Sequence, residues 1–213
     1  MSYEQLKKVF DRTQTDLATA TKNFQWTSAF SYAMWLRCTL NYAENSTRLL
    51  ALAGGVMPLE KTNLSNRFIV HAAEEKNHDK LLVSDIKALG FNPEQLRPTL
   101  EMLLYSRSLY YWISPVGNPL GLIGWVLSLE GLAANSGPKI YQQTTDAFGR
   151  RATSFLKVHA ESDPDHLEKA LLITKELNES ELAVVTDALE MYSYHYQKVL
   201  LSKEAASAMK VAI

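Results

Sequence analysis

The chain has 213 residues, of which 46% are hydrophobic, and a formal net charge of −1. This length and composition suit one domain with a sizeable core, and near-neutrality without a basic run argues against nucleic acid or an anionic membrane as a partner. Cys38 is the single cysteine, which excludes an internal disulfide and fits a reducing compartment. The first residues lack an apolar signal core, and the longest apolar stretch, 120–134, is too short to span a bilayer. We therefore expect a cytoplasmic protein.

Apolar residues recur at helical spacing along the chain, and glycine and proline separate the periodic segments. Gly90 suits a left-handed helix C-terminus, and Asn178 with Glu181 resembles a capping box. No stretch shows the two-residue alternation of a half-buried strand. The pattern predicts helices at roughly 2–24, 26–53, 60–89, 93–113, 119–135, 138–148, 150–175 and 179–205. The predicted fold is a single all-α domain over 1–213, a bundle of about seven or eight helices.

The third predicted helix carries the cluster His71, Glu74, Glu75 and His78. Residues at i, i+3, i+4 and i+7 lie on one face of a helix. Glu75 and His78 match the Glu-x-x-His pattern of di-iron carboxylate sites in helical bundles. These four neighbouring side chains cannot all be direct ligands together, so we favour Glu75 and His78 as ligands, with His71 or Glu74 as an outer partner or a substitute. The alternative is a solvated helix face, since the segment is highly polar.

Glu130 lies in the apolar segment 124–134. A lone carboxylate is costly to bury unless it is paired, protonated or bound to metal, so Glu130 is a candidate metal bridge. The alternatives are a hydrogen bond to a neighbouring helix or an exposed position. Glu44, another acid within an amphipathic helix, is a further candidate ligand, although helices carry many such acids.

A second cluster, His159, Asp163 and His166, forms the pattern His-x-x-x-Asp-x-x-His. On one continuous helix these side chains form a stripe that can bind a metal. Asp163 followed by Pro164 is also typical of an N-cap and the first residue of a new helix, which would separate His159 from the other two. A third interpretation is a helix kinked at Pro164 in which the three ligands still converge.

These elements, in this order, resemble the heme-oxygenase-like di-iron oxidases, which are relatives of the TenA/THI-4 and PqqC proteins. The resemblance covers nearly the whole chain, and its most specific element is His-x-x-x-Asp-x-x-His. It implies a heme-oxygenase-like bundle that binds two iron ions and activates O2 to oxidise a small substrate, such as a fatty acid or an amino-acid derivative. The ligands that it implies, from three core helices, are Glu75, His78, Glu130, His159, Asp163 and His166.

Sibling functions fit less well. A TenA-type hydrolase needs a cysteine nucleophile near the middle of the chain, and Cys38 lies too early, so we assign no catalytic nucleophile. A heme oxygenase needs a proximal histidine near its N-terminus, and the first histidine here is His71. Two rival functions stay open. One is a partner-binding bundle without enzymatic activity, and the second is a metal-free oxidase like PqqC, in which histidines act as acids and bases.

Aromatic side chains in 105–112 and Trp125 are candidates for a substrate pocket. The assigned lining is Tyr105, Tyr111 and Trp125, with Arg107 as a partner for a substrate carboxylate. The alternatives are plain core for the aromatic residues and a solvated arginine. The expected partners are O2 and a small-molecule substrate, and a homodimer is the base-rate expectation. Iron, manganese and zinc share these ligands, so the sequence leaves the metal open.

Overall fold

The computed structural model describes residues 1–202, which form eight α-helices and no strand. The helices are α1 (Tyr3–Asn23), α2 (Ala29–Val56), α3 (Thr62–Glu74), α4 (His78–Ala88), α5 (Leu100–Trp112), α6 (Gly121–Phe148), α7 (Ser154–Thr174) and α8 (Glu179–Leu201). The all-α prediction is confirmed, and the last three residues predicted for the final helix, 203–205, lie outside the described residues. None of the described helices combines the length and hydrophobicity needed to cross a membrane.

Several helix ends are set by side chains that bind otherwise unpaired backbone groups. Asn178 Oδ1 accepts a hydrogen bond from the Glu181 amide at 3.1 Å, and Glu181 Oε2 accepts one from the Asn178 amide at 2.9 Å, so the predicted capping box is confirmed. Ser2 and Gln5 form a second box at the start of α1. Gly90 follows α4 with a φ of 86°, as predicted for a left-handed helix end.

The fourth predicted helix begins later than expected, at Leu100 rather than near residue 93. Pro98 disfavours helical backbone in the residue before it. Thr99 then caps α5, because its side chain accepts a hydrogen bond from the Met102 amide at 3.2 Å.

The segment predicted as one helix over 60–89 consists of two helices, α3 and α4, joined by a turn. Asn77 in that turn has left-handed backbone with a φ of 71°, a conformation that asparagine adopts more readily than most residues. Periodicity did not reveal the break because the polar residues keep helical spacing across it. Glu75 and His78 therefore flank a turn between two helices and do not lie on one continuous helix.

Two prolines lie inside helices, Pro138 in α6 and Pro164 in α7. The predicted boundary before Pro138 is therefore wrong, and so is the interpretation of Asp163 as the N-cap of a new helix. A proline in a helix interior costs about 3 kcal/mol, because it removes a hydrogen bond and crowds the preceding turn. α6 and α7 pack against each other, and burial of their shared apolar surface offsets that cost.

α6 is the central helix and packs against α1, α7 and α8. Its first half is buried on nearly all sides, as expected for a helix enclosed by others. Gly124 permits close approach to α8, since a Cβ atom at this position would lie 2.4 Å from the Val185 carbonyl oxygen. Glu130 lies on the same helix, almost two turns after Gly124, and is buried.

Asp85 of α4 caps α7 from outside. Its Oδ1 accepts a hydrogen bond from the Ser154 amide at 3.1 Å and its Oδ2 accepts one from the Phe155 amide at 2.9 Å. The Ser154 hydroxyl also donates to Asp85. The N-cap residue of α7, Thr153, makes no such bond with its own side chain, so Asp85 takes over the capping role. This contact holds α4, which carries His78, against α7, which carries His159.

We expect Asp85→Ala to lower the free energy of unfolding by about 2 kcal/mol, because it leaves buried amide groups unpaired. Chemical denaturation measures the change. Asp85→Asn keeps one acceptor oxygen, so its free energy of unfolding should fall by less than that of Asp85→Ala. Asp187→Ala, at an exposed aspartate of α8, is the matched control and should stay within about 0.5 kcal/mol of the unmodified chain. An equal loss in Asp85→Ala and the control would contradict the capping role.

Burial raises the pKa of Asp85, and its hydrogen bonds to Ser154 and Phe155 oppose that rise only in part. An acid whose pKa is higher in the folded state binds more protons when folded. Its contribution to stability therefore falls as the pH rises from the unfolded value, about 3.9, through the folded value. The stability of the unmodified chain relative to Asp85→Asn should decline across that window. If the stability of the unmodified chain relative to Asp85→Asn rose with pH, the pKa of Asp85 would be lowered by folding and not raised.

Candidate metal centre

Side chains from α3, α4, the turn between them, α6 and α7 meet inside the bundle. His71, Glu130, Asp163 and His166 are all buried. The cluster as a whole consists of His71, Glu74, Glu75, His78, Glu130, His159, Asp163 and His166. The two histidine clusters of the sequence thus lie together, with Glu130 between them.

Two groups of three side chains bring their donor atoms close enough together to hold a metal ion. His71, Glu75 and His166 form the first group, and Glu75, His78 and His159 form the second. Within each group the donor atoms lie within 4.8 Å of one another. Two imidazole nitrogens and a carboxylate oxygen suit iron, manganese or zinc.

Glu75 belongs to both groups and presents a different oxygen to each. Its Oε1 lies 3.6 Å from Nε2 of His71, and its Oε2 lies 3.2 Å from Nδ1 of His78. A carboxylate with two oxygens so placed can bind two ions at once. Glu75 is therefore the carboxylate that the two groups share.

Glu130 and Asp163 add further oxygens. Oε1 of Glu130 lies 3.0 Å from Nε2 of His71 and 3.8 Å from Nδ1 of His166, which places it beside the first group. Asp163 lies between the groups: both of its oxygens are 3.0 Å from Nδ1 of His159, and Oδ1 is 3.7 Å from Nδ1 of His166.

Several buried atoms of the cluster make no hydrogen bond with the protein. Buried polar atoms are almost always paired, so a concentration of unpaired ones in one cluster is typical of a site that binds an ion or a ligand. Although Glu130 approaches His71 closely enough for an ion pair, neither of its oxygens accepts a hydrogen bond. The unpaired atoms are Oε1 and Oε2 of Glu130, Nδ1 of His78, Nε2 of His159 and Nδ1 of His166. This donor set fits a metal ion.

The electrostatics of the centre favour positive charge. Burial opposes protonation of His71, yet the carboxylates of Glu130 and Glu75 raise its pKa to about 9. Burial raises the pKa of Glu130 to about 7, partly offset by His71. Burial also opposes ionisation of Glu75, but His71 and His78 hold its pKa well below the usual value. A proton on His71 or a metal ion would supply the charge that these carboxylates attract.

Glu74 lies outside both donor groups and contacts His166 from the other side. Its Oε2 is 3.5 Å from Nε2 of His166 and accepts a hydrogen bond from Nη1 of Arg67 at 3.0 Å. Nζ of Lys169 is 3.9 Å from its Oε1. Sequence reasoning did not single out Arg67 or Lys169, although Arg67 is one helical turn from His71.

The structure brings all six assigned ligands into the cluster, and their ligand roles stay predictions. His71 also belongs to a donor group. From the sequence, Glu75 and His78 were the favoured ligands, and His71 was an outer partner or a substitute. The structure does not support Glu44 as a metal ligand. The Glu44 side chain lies on the solvent side of α2, where it is exposed, and it belongs to neither donor group.

An apolar cavity of about 100 Å³ adjoins both donor groups, and Trp125 lines it as predicted. The remaining three pocket assignments are corrected. Tyr105 is buried in the core outside the cavity lining, while Arg107 and Tyr111 are exposed. α5 packs against α2 and α8, so its remaining face points to solvent. The residues that do line the cavity come mainly from α2, α6, α7 and α8.

The fold and this donor set define a helical-bundle protein with a candidate two-metal centre. A family model described as "Iron-containing redox enzyme" matches residues 35–195, more than half of the chain, and the chain belongs to that family. No curated protein sequence matches this chain.

Two solved structures have the same fold. A domain of unknown function with a heme oxygenase-like fold, from Shewanella denitrificans OS217, is 18% identical with a TM-score of 0.78, covering 97% of this chain and 92% of its own. A TenA homolog from Pseudomonas syringae pv. tomato DC3000 is 14% identical with a TM-score of 0.78, covering 92% of this chain and 90% of its own. The predicted heme-oxygenase-like, TenA-like fold is therefore confirmed.

Proposed function

We propose that this chain is a non-heme di-iron oxidase or oxygenase that uses O2 to oxidise a small organic substrate. The observation that carries the proposal is the pair of donor groups that share Glu75 beside an apolar cavity. Membership of the iron-containing redox enzymes supports iron as the metal. The second ion and the reaction with O2 are inferred from the shared carboxylate and the donor set.

The ligands divide between two ions. Glu75 would join them, and two ferrous ions bound there would supply the electrons that reduce O2. The first ion would be held by His71, His166 and Glu130, and the second by His78 and His159. Asp163 lies within reach of both groups and is the remaining candidate ligand.

Neighbouring carboxylates orient two of the histidines. Asp163 binds Nδ1 of His159, which leaves Nε2 of that ring unpaired and available to a metal. Glu74 lies near Nε2 of His166, while Nδ1 of the same ring is unpaired. Such carboxylate–histidine contacts select the tautomer and hold the ring in position for a metal.

A thiol-dependent, TenA-type reaction has little support in this chain. Cys38 is buried in α2, does not line the cavity, and has a pKa raised by burial. A neutral, buried thiol is a poor nucleophile. The metal-free alternative differs from our proposal in a testable way, because its activity would survive a strong chelator.

Anaerobic loading of the purified chain with ferrous iron, followed by exposure to O2, tests the proposal. We expect about two irons per chain, O2 consumption and a transient visible absorption band. His159→Ala and Glu130→Ala should each lose the ion that the substituted side chain would hold, and O2 consumption with it, while the helical circular dichroism persists. Two irons per chain retained by both variants, or substrate oxidation that persists in chelator, would overturn the proposal.

A further inference from the structure

We propose that the cavity beside the metal centre accepts a small apolar group of substrate, about the size of an aromatic ring, and excludes charge everywhere except at the metal end. The reaction of that substrate rests on the proposed function, whereas its binding does not. The inference comes from the composition, volume and shape of the cavity.

The chemical character of the wall changes from one end to the other. Its acids and imidazoles, such as Glu75 and His159, all belong to the candidate metal centre. Among the described residues that line the cavity, none is a lysine or an arginine. The remaining wall is mostly aromatic and aliphatic, and includes Trp26, Trp35, Tyr42, Leu50, Trp125, Leu129, Ile140, Phe155, Tyr196 and Leu200.

This wall excludes a charged group. An unpaired carboxylate or ammonium in an apolar cavity loses hydration without gaining a partner, which costs several kcal/mol. A substrate carboxylate therefore finds a counter-charge only at the end occupied by the metals. A substrate ammonium in the apolar part finds no acid at all.

The volume limits the size of the group. The cavity is about 100 Å³. An apolar cavity of roughly 150 Å³ binds benzene, so this one suits a single ring or a short aliphatic chain after small side-chain shifts. A long chain would require a larger rearrangement of a packed core.

Alanines leave the space open. Ala43 of α2 and Ala133 of α6 are two of the three alanines among the described residues that line the cavity. Larger side chains at these positions would occupy the volume assigned to the substrate. We infer that Ala43 and Ala133 determine which substrates fit.

The binding test uses three probes of similar size, toluene, benzylammonium and benzoate, with the chain free of added metal and with the chain loaded with zinc, a redox-inactive ion with the same ligands. Three tryptophans, Trp26, Trp35 and Trp125, line the cavity, so fluorescence reports binding and calorimetry confirms it. We expect toluene to bind to both forms. Because the metal-free carboxylates of the centre can pair with an ammonium group, benzylammonium is compared in the zinc-loaded chain, where it should bind at least about tenfold more weakly than toluene. Benzoate should bind only after zinc loading. Failure of toluene to bind to the metal-free chain, or equal binding of toluene and benzylammonium to the zinc-loaded chain, would overturn the inference.

The variant test compares Ala43→Leu with Ala51→Leu, the same substitution at an exposed position of the same helix. Ala43→Leu should weaken toluene binding about tenfold or more, and Ala51→Leu should leave it unchanged. Ala133→Leu is the second variant, used if circular dichroism shows that Ala43→Leu does not fold. Unchanged binding in a folded cavity variant would contradict the proposal. Failure to bind iron would refute the proposed function yet leave the toluene result intact, so the two failures are distinguishable.

Discussion

Glu75→Ala is expected to remove both metal ions from the chain, whereas His78→Ala and His166→Ala are each expected to remove one. Glu75 is the only residue common to the two donor groups that the described residues form, and it offers a separate oxygen to each. Loss of an outer-shell partner already costs about 10- to 100-fold in metal affinity, so loss of a shared ligand should cost more at both positions. O2 consumption by Glu75→Ala should fall at least about 100-fold.

The measurement is the metal-to-protein ratio after anaerobic ferrous loading and desalting. Glu44→Ala is the control, since Glu44 is an exposed glutamate outside both groups. It should bind as much iron as the unmodified chain. Full retention of one ion by Glu75→Ala would show that Glu75 does not link the two sites. Loss of both ions in His78→Ala would show that the sites fill only together.

Gly124→Ala is expected to lower the free energy of unfolding by about 3 kcal/mol or more. Its Cβ would lie 2.4 Å from the Val185 carbonyl oxygen and 2.6 Å from the Leu189 amide nitrogen, so α6 and α8 must separate. Backbone atoms of two packed helices cannot yield as a flexible side chain can, and overpacking of this kind is strongly destabilising. Because Glu130 lies on α6, the shift should also weaken metal binding.

Gly55→Ala is the matched control, since an added Cβ there meets no atom within 4 Å. Alanine is the better helix former, so this variant should gain about 0.5–1 kcal/mol. Thermal and denaturant unfolding compare the stability of the two variants. Iron titration measures the weaker metal binding expected of Gly124→Ala. A Gly124→Ala variant as stable as the unmodified chain would mean that α6 and α8 pack less closely than described.

The sequence by itself determined the features that depend on local chemistry. Helical periodicity established the all-α fold, and the short-range hydrogen bonds of Asn178 and Glu181 placed a helix start correctly. The candidate ligands were also readable, because helical spacing puts His159, Asp163 and His166 on one stripe if the helix is continuous. The apolar segment around Glu130 made burial of this acid one of the expected outcomes, and the cost of an unpaired buried carboxylate made it a candidate ligand.

Tertiary structure decided what depends on partners distant in sequence. α7 continues through Pro164 because packing against α6 offsets the cost of the proline. The free energy of that packing depends on residues distant in sequence, so no local sequence pattern predicts it. Spacing could not show that the two oxygens of Glu75 face different histidines, because His71 and His78 lie on opposite sides of a turn that periodicity does not detect. The cavity lining belongs to the same category. An aromatic residue lines a cavity or fills the core according to which helix lies opposite, and that choice is made only when the helices pack.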